Sequence, residues 1–202
     1  ETIKQMAAHS QALVRIISDA RLIDALYLRQ VSPWNEAQLL ELLHDHSPLG
    51  QARLRYFLIN KGPWSELDID RPFLPGVAAR PGQANFYPAD ATRAELEGWF
   101  GTLPAGERQA ATGFFTVIRR TPGGALAAVP YALEYQPELV EAARLLRQAA
   151  ALTRQPTLRA FLEKRAAAFL SNDYYDSAVA WMDLDASIEP TIGPYEVYQD
   201  RW

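Results

Sequence analysis

Apolar residues recur at three- and four-residue steps from the start of the chain. Ile3, Met6, Leu13, Ile16, Ile17, Ala20, Ile23, Leu26 and Tyr27 form one stripe. That is the period of an amphipathic helix, so the pattern predicts helix over residues 2–31, with a bend expected near Ser18 and Asp19. Ser32-Pro33 and Ser47-Pro48 repeat one device, a hydroxyl cap followed by proline at the first helical position, and predict helices near 33–46 and 48–60. Residues 62–88 then hold five prolines and three glycines, which excludes a long helix. This segment reads as an ordered irregular stretch held down by Trp64, Phe73, Leu74, Phe86 and Tyr87. Long ordered loops of this kind are more often functional than not.

Thr92 with Glu95 makes a capping box for a short helix through Phe100, and Pro104 with Glu107 starts another. Phe115 to Ile118 and Leu126 to Tyr131, joined through Pro122-Gly123-Gly124, predict a β-hairpin. Gln136-Pro137 opens a helix with the stripe Leu139, Val140, Ala143, Leu146 and Ala150. Gln155-Pro156 opens another, with Leu158, Phe161, Leu162, Ala166, Phe169 and Leu170. The class these elements imply is α+β and predominantly helical. Helices pack around a small β-sheet or partial barrel made by the hairpin near 114–131 and a strand near 191–198. No interior linker is evident, so residues 1–202 read as a single lobe.

Composition narrows the partners. With 202 residues and 49% hydrophobic content the chain can bury a core. A net charge of −4, with no lysine or arginine stripe to neutralise phosphates, argues against nucleic acid. The sequence has no apolar run of the ~18 residues that a membrane span needs, and no basic-then-apolar leader. A soluble protein of the cytoplasm or periplasm is expected, with no membrane partner. The absence of cysteine removes disulfides and thiolate metal sites. Starting at Glu1 rather than Met, the chain reads as trimmed.

Acids and aromatics concentrate at the carboxy end. Between Asp173 and Trp202 stand seven carboxylates (Asp173, Asp176, Asp183, Asp185, Glu189, Glu196, Asp200) and six large aromatics (Tyr174, Tyr175, Trp181, Tyr195, Tyr198, Trp202). Such a mixture suits a cleft wall, where rings supply contact area and carboxylates meet cations. It equally suits a solvated acidic helix end followed by a strand. The helix before it would aim Asn172 to Asp185 rigidly, as a preorganised site requires.

Other chemistry is missing. Gly123-Gly124 is not followed by the Lys-Ser/Thr of a phosphate loop, and the sequence has neither a glycine-flanked serine elbow nor a cysteine nucleophile. His44 and His46 are two residues apart, whereas a helical metal pair needs three or four, so they read as surface residues. Asp183, Asp185 and Glu189 could supply an acid/base pair, but their separations are not given by sequence.

Seven runs carry a resemblance. They are Phe57-Leu58-Ile59-Asn60-Lys61-Gly62-Pro63-Trp64, Ala84-Asn85-Phe86-Tyr87-Pro88-Ala89-Asp90, Gly113 to Arg120, Val129-Pro130-Tyr131, Phe169 to Tyr175, Ala180 to Asp185 and Thr191 to Tyr198. Over essentially the whole chain they resemble the amino-terminal portion of the bacterial branch of the dipeptidyl-peptidase III family. The resemblance implies a two-lobed zinc metallopeptidase, with a helical lobe holding zinc through a His-Glu motif and a mixed lobe facing it across a cleft. No zinc motif precedes Trp202, so the resemblance implies an amino-terminal piece with no cofactor of its own, zinc in the full-length parent, and a missing carboxy-terminal zinc lobe as partner.

What carries over is binding of a peptide substrate. The family's strand corresponding to Glu189–Tyr198 lines the cleft, and an acid near its start helps to hold the substrate's free amino terminus. Glu189 stands at that place. The resemblance extends the substrate-binding set to Thr191, Glu196 and Tyr198, while Thr191 replaces a tyrosine that eukaryotic members carry. Asn172 and Tyr174 join on residue type, with a helix cap and a packed ring as the alternative. A strand at 191–198 without its partner from the parent would expose an apolar edge, so self-association through that edge, or fraying of the carboxy end, is expected. The other reading is a stand-alone, non-catalytic peptide-binding or protein-interaction domain.

Overall fold

The computed structural model describes residues 2–194 and 199–200, with side chains from Ser10 onward. In chain order the helices and strands are α1 (Thr2–Val31), α2 (Asn35–His44), α3 (Pro48–Asn60), β1 (Trp64–Ser65), β2 (Arg71–Pro72), α4 (Arg93–Thr102), α5 (Ala105–Ala111), β3 (Thr116–Arg120), β4 (Leu126–Pro130), α6 (Tyr131–Glu134), α7 (Gln136–Leu152), α8 (Pro156–Ser171) and α9 (Tyr175–Met182). Helix dominates, and β1 with β2 and β3 with β4 form two small antiparallel sheets. The α+β, mainly helical class is the observed one. Of the strand expected at 191–198, residues 191–194 are irregular and 195–198 lie outside the described residues.

The chain forms two compact units built from interleaved segments. One comprises residues 1–24 and 129–195, the other residues 25–128 and 196–202. Because each unit is made of two segments separated in sequence, no single linker marks the division, and the sequence reads as one lobe.

In the first unit α7 packs along α8, and α8 along α9. Leu139, Ala142, Ala143, Leu146, Ala149 and Ala150 are buried on α7, and Leu158, Phe161, Leu162, Ala166 and Phe169 on α8. Alanines at the contact let two helices approach closely, and the 3.6-residue period turns the larger side chains inward. The unit's share of α1 shows one departure. Ala12, Ile16 and Asp19 follow the i, i+4, i+7 spacing of the buried face, and Asp19 is 0% exposed. The stripe runs through Asp19, and α1 continues as one helix.

In the second unit Leu28, Leu42 and Phe57 form one cluster, with Leu39, Leu54, Phe73 and Leu74 against it. Ala91, Leu96, Ala111 and Ile118 form another, covered by Tyr87, Trp99, Phe100, Leu103 and Leu126. Ser47 caps α3, its hydroxyl accepting from Gly50 N at 3.0 Å, and Thr92 caps α4 through Glu95 N at 3.2 Å. Ser32 does not cap. Its N–H bonds Leu28 O at the end of α1, its hydroxyl accepts from Trp34 N, and α2 begins only at Asn35. Asn35 is buried and donates to Leu28 O and Lys61 O, which ties α1 to the end of α3. His44 and His46 are both exposed.

The segment 62–90 is ordered by a few anchors. Trp64 is buried and donates from Nε1 to Ala78 O at 2.9 Å. Arg80, 6% exposed, meets Asp70 at 2.8 Å and lies over the Trp64 ring. Phe86 O accepts from Ile118 N, which joins the segment to β3.

Candidate functional site

Residues 183–194 form an irregular strap in the first unit, running from the end of α9 along α8. Its first part is held to the opening turn of α8. The Thr157 hydroxyl donates to Asp185 O and accepts from Asp185 N, each at 3.1 Å, and Gln155 Nε2 donates to Ser187 Oγ at 3.0 Å. Its last part lies against Arg165, in the middle of α8. There the strap turns at Gly193, whose φ of +125° is a conformation that side-chain-bearing residues rarely adopt.

Between these two attachments, exposure alternates. Glu189 and Thr191 are exposed, whereas Pro190 and Ile192 are buried. Extended backbone puts successive side chains on opposite sides, so burying Pro190 and Ile192 turns Glu189 and Thr191 together toward solvent. Glu189 has no hydrogen bond or ion pair with the described residues. A fixed, exposed carboxylate without an internal partner can accept charge-assisted hydrogen bonds from an ammonium, at about 1.5–3 kcal/mol each.

Asn172 and Tyr174 serve the fold beneath this strap. Asn172 ends α8 in the left-handed conformation, with φ +64°, which asparagine tolerates better than most residues. Its Oδ1 accepts from Ala132 N at 3.1 Å, fixing α6 to the end of α8. Tyr174 is buried, edge-on to Phe169 at 6.2 Å, and desolvation drives its phenol pKa upward against the opposing pull of Arg165. The geometry therefore brings Glu189 and Thr191 together and separates them in role from Asn172 and Tyr174. Glu196 and Tyr198 lie outside the described residues.

The remaining acids of the stretch do not converge. Asp173, Asp176, Asp183 and Asp185 are all exposed. Asp173 accepts from Tyr175 N at the start of α9, where negative charge favours the helix. Asp200 accepts from the Tyr87 hydroxyl at 2.7 Å within the second unit. Among the described residues, no three His, Asp or Glu side chains group so as to hold a metal ion. The described residues do not fit a zinc site, which needs three protein ligands. No helix of the described residues is long and apolar enough to cross a membrane.

Sequence reasoning missed Arg165. It is 1% exposed, with its guanidinium 5.6 Å from the Phe161 ring centroid and 5.4 Å from that of Tyr174. The signal was present, because Phe161, Arg165 and Phe169 are spaced i, i+4, i+8 on the buried stripe of α8. A charge at a core position is rare enough to be informative.

Comparison with solved structures places this fold. Dipeptidyl-peptidase III from Corallococcus sp. strain EGB superposes with a TM-score of 0.92 and 58% sequence identity, covering 96% of this chain and 36% of that one. The chain resembles the amino-terminal part of dipeptidyl-peptidase III. The enzyme from Caldithrix abyssi agrees, with a TM-score of 0.90, 43% identity, and coverage of 96% of this chain against 37% of its own. A curated plant protein from Arabidopsis thaliana, named Nudix hydrolase 3, is 35% identical over 245 aligned positions, which cover 96% of this chain and 32% of that protein. The chain thus spans about a third of the length of the relatives it matches. No family model matches it.

Proposed function

We propose that the chain is the amino-terminal substrate-binding portion of a dipeptidyl-peptidase III-like zinc hydrolase that removes dipeptides from the amino ends of peptides. The observation that carries this reading is the strap: Glu189, exposed and without a partner among the described residues, is held by buried neighbours at 190 and 192. In that reading Glu189 receives the substrate's terminal ammonium, and Thr191, on the same side, contacts the backbone next to it. A carboxylate fixed at one distance from the scissile bond counts residues from the chain end, which is how dipeptide length would be set. Glu196 and Tyr198 extend the same binding segment. The zinc and the groups that activate water would come from the carboxy-terminal lobe, so the 202 residues alone hydrolyse nothing.

The test replaces Glu189 with glutamine in the full-length natural protein, keeping size and removing charge. Cleavage of free-amino peptides is expected to fall by about tenfold or more in kcat/KM, while binding of amino-acetylated peptides changes little. Equal effects on both substrates, or none on either, would remove Glu189 from the site. In parallel, metal analysis of the dialysed 202-residue chain is expected to find no stoichiometric zinc.

The different name of the plant relative favours a second reading, in which the same fold serves as a non-catalytic peptide-binding or protein-interaction part within another hydrolase. Peptide binding that survives in a full-length protein without peptidase activity would select it.

A further inference from the structure

We propose that Arg165 is a positioning residue for the substrate strap: its buried guanidinium is the stop against which Gly193 seats, and that seat fixes where Glu189 and Thr191 stand. The inference rests on the substrate-binding reading of Glu189, but its physical content can be tested apart from it.

Three features carry it. First, Arg165 is almost fully buried on α8, although a guanidinium is costly to desolvate and the position could be filled by a methionine or leucine of similar length. Second, the group is held in one place. The Phe161 and Tyr174 rings lie 5.6 and 5.4 Å from its central carbon, an arrangement that exploits the flat, delocalised face of arginine and that lysine cannot reproduce. Tyr174 is in turn positioned by Asn172, whose left-handed backbone ends α8 two residues earlier.

Third, the strap meets the guanidinium with backbone. A methyl group built at Gly193 would stand 2.7 Å from Nη1, 3.4 Å from Cζ and 3.5 Å from Cδ. The end of a flexible arginine could ordinarily swing away, but this one is enclosed by two rings. Gly193 is thus required twice, by the close approach and by its φ of +125°. The seat lies four positions after Glu189, and the strap's other attachment, at Thr157 and Gln155, lies on the far side of Glu189. With both ends fixed to one helix, the exposed carboxylate cannot shift without breaking one of them. Positioning of this kind matters because a displacement of about 1 Å can cost about 10²-fold in rate.

The experiment compares Arg165→Met, Gly193→Ala and Glu189→Gln in the full-length natural protein. Arg165→Met keeps the apolar stem and removes the guanidinium that Gly193 meets. Hydrogen exchange in peptides covering 186–194 is expected to speed up by about tenfold, with α7 unchanged. KM for free-amino peptides is expected to rise about tenfold with kcat altered far less, and the preference over acetylated peptides is expected to shrink. Gly193→Ala leaves the core of α8 intact and is expected to give the same exchange and KM pattern, which keeps the test alive should Arg165→Met fold poorly. Unchanged exchange in 186–194 in the folded variants overturns the proposal, as does a lowered thermal midpoint with an unaltered substrate preference. Faster exchange in 186–194, together with a Glu189→Gln variant that keeps its preference for free amino ends, upholds the seat and defeats the ammonium reading instead.

Discussion

The two units treat buried charge in opposite ways. In the second unit Arg80 is nearly enclosed, yet it faces Asp70 at 2.8 Å, has Glu66 at 3.8 Å, and lies over Trp64. The pair closes the loop on itself and leaves nothing over for a ligand. In the first unit Asp19 is fully buried with no hydrogen-bond partner for either carboxyl oxygen among the described residues, and Arg165 is set against rings and a glycine. There too a carboxylate, Glu189, stands exposed on the strap without a partner among the described residues. The difference separates a segment whose buried charge is matched by carboxylates from one in which a buried carboxyl, Asp19, carries a desolvation cost. Departures of the second kind concentrate where function sets the terms.

The sharpest test is Asp19. Desolvation raises its pKa from 3.8 to about 7. A carboxyl whose folded pKa lies above its unfolded value binds more protons folded than unfolded between those values, so stability falls as pH rises from about 4 to 7 and then levels off. Asp19→Asn is expected to remove that slope and to gain up to about 4 kcal/mol at pH 8, an upper bound from about three pKa units. Urea melts of both proteins at pH 4.5 and pH 8 decide it. If the difference between them does not change with pH, Asp19 is compensated and the contrast between the units fails.

A smaller effect is expected in the second unit, with the opposite sign. Asp70→Ala leaves the Arg80 guanidinium with only the longer Glu66 contact. Breaking a buried pair from one side costs about 3–5 kcal/mol. Asp70 is partly exposed and Glu66 remains, so about 1–3 kcal/mol is expected in denaturant melts. A neutral result would mean that the loop is held by Trp64 and its neighbours alone.

These same residues show what could be read in the sequence. The helices α7 and α8, the caps Ser47 and Thr92, and the β3–β4 hairpin follow from periodicity and turn chemistry, because local sequence determines them. Asp19 and Arg165 were legible as positions but not as residues. Each falls on a buried stripe, and reading charge as a break in the stripe placed a bend at Asp19 and overlooked Arg165. Ser32 failed as a cap because the end of α1 claims it. Helix α6 was invisible, since its four residues are fixed from outside through Asn172. Glu189 came from family resemblance, whereas its exposure and its alternation with buried Pro190 and Ile192 depend on tertiary packing that the local sequence does not encode.

The smallest expected effect on stability is also the one that most cleanly divides the two kinds of charge. Glu189 is exposed and makes no ion pair or hydrogen bond with the described residues, so nothing among them depends on its negative charge. Replacing it with glutamine keeps the side chain's length and removes only the charge. The unfolding free energy is expected to move by less than about 0.5 kcal/mol, as for surface substitutions away from structural features. The same variant is expected to lose about tenfold or more in kcat/KM toward free-amino peptides. A residue held for function shows that dissociation, whereas a residue held for structure loses both together. Urea denaturation of the wild type and Glu189→Gln at one pH measures it. A loss above about 1 kcal/mol would assign Glu189 an internal partner, and the first unit would then spend its surface carboxylate as the second unit spends Asp70.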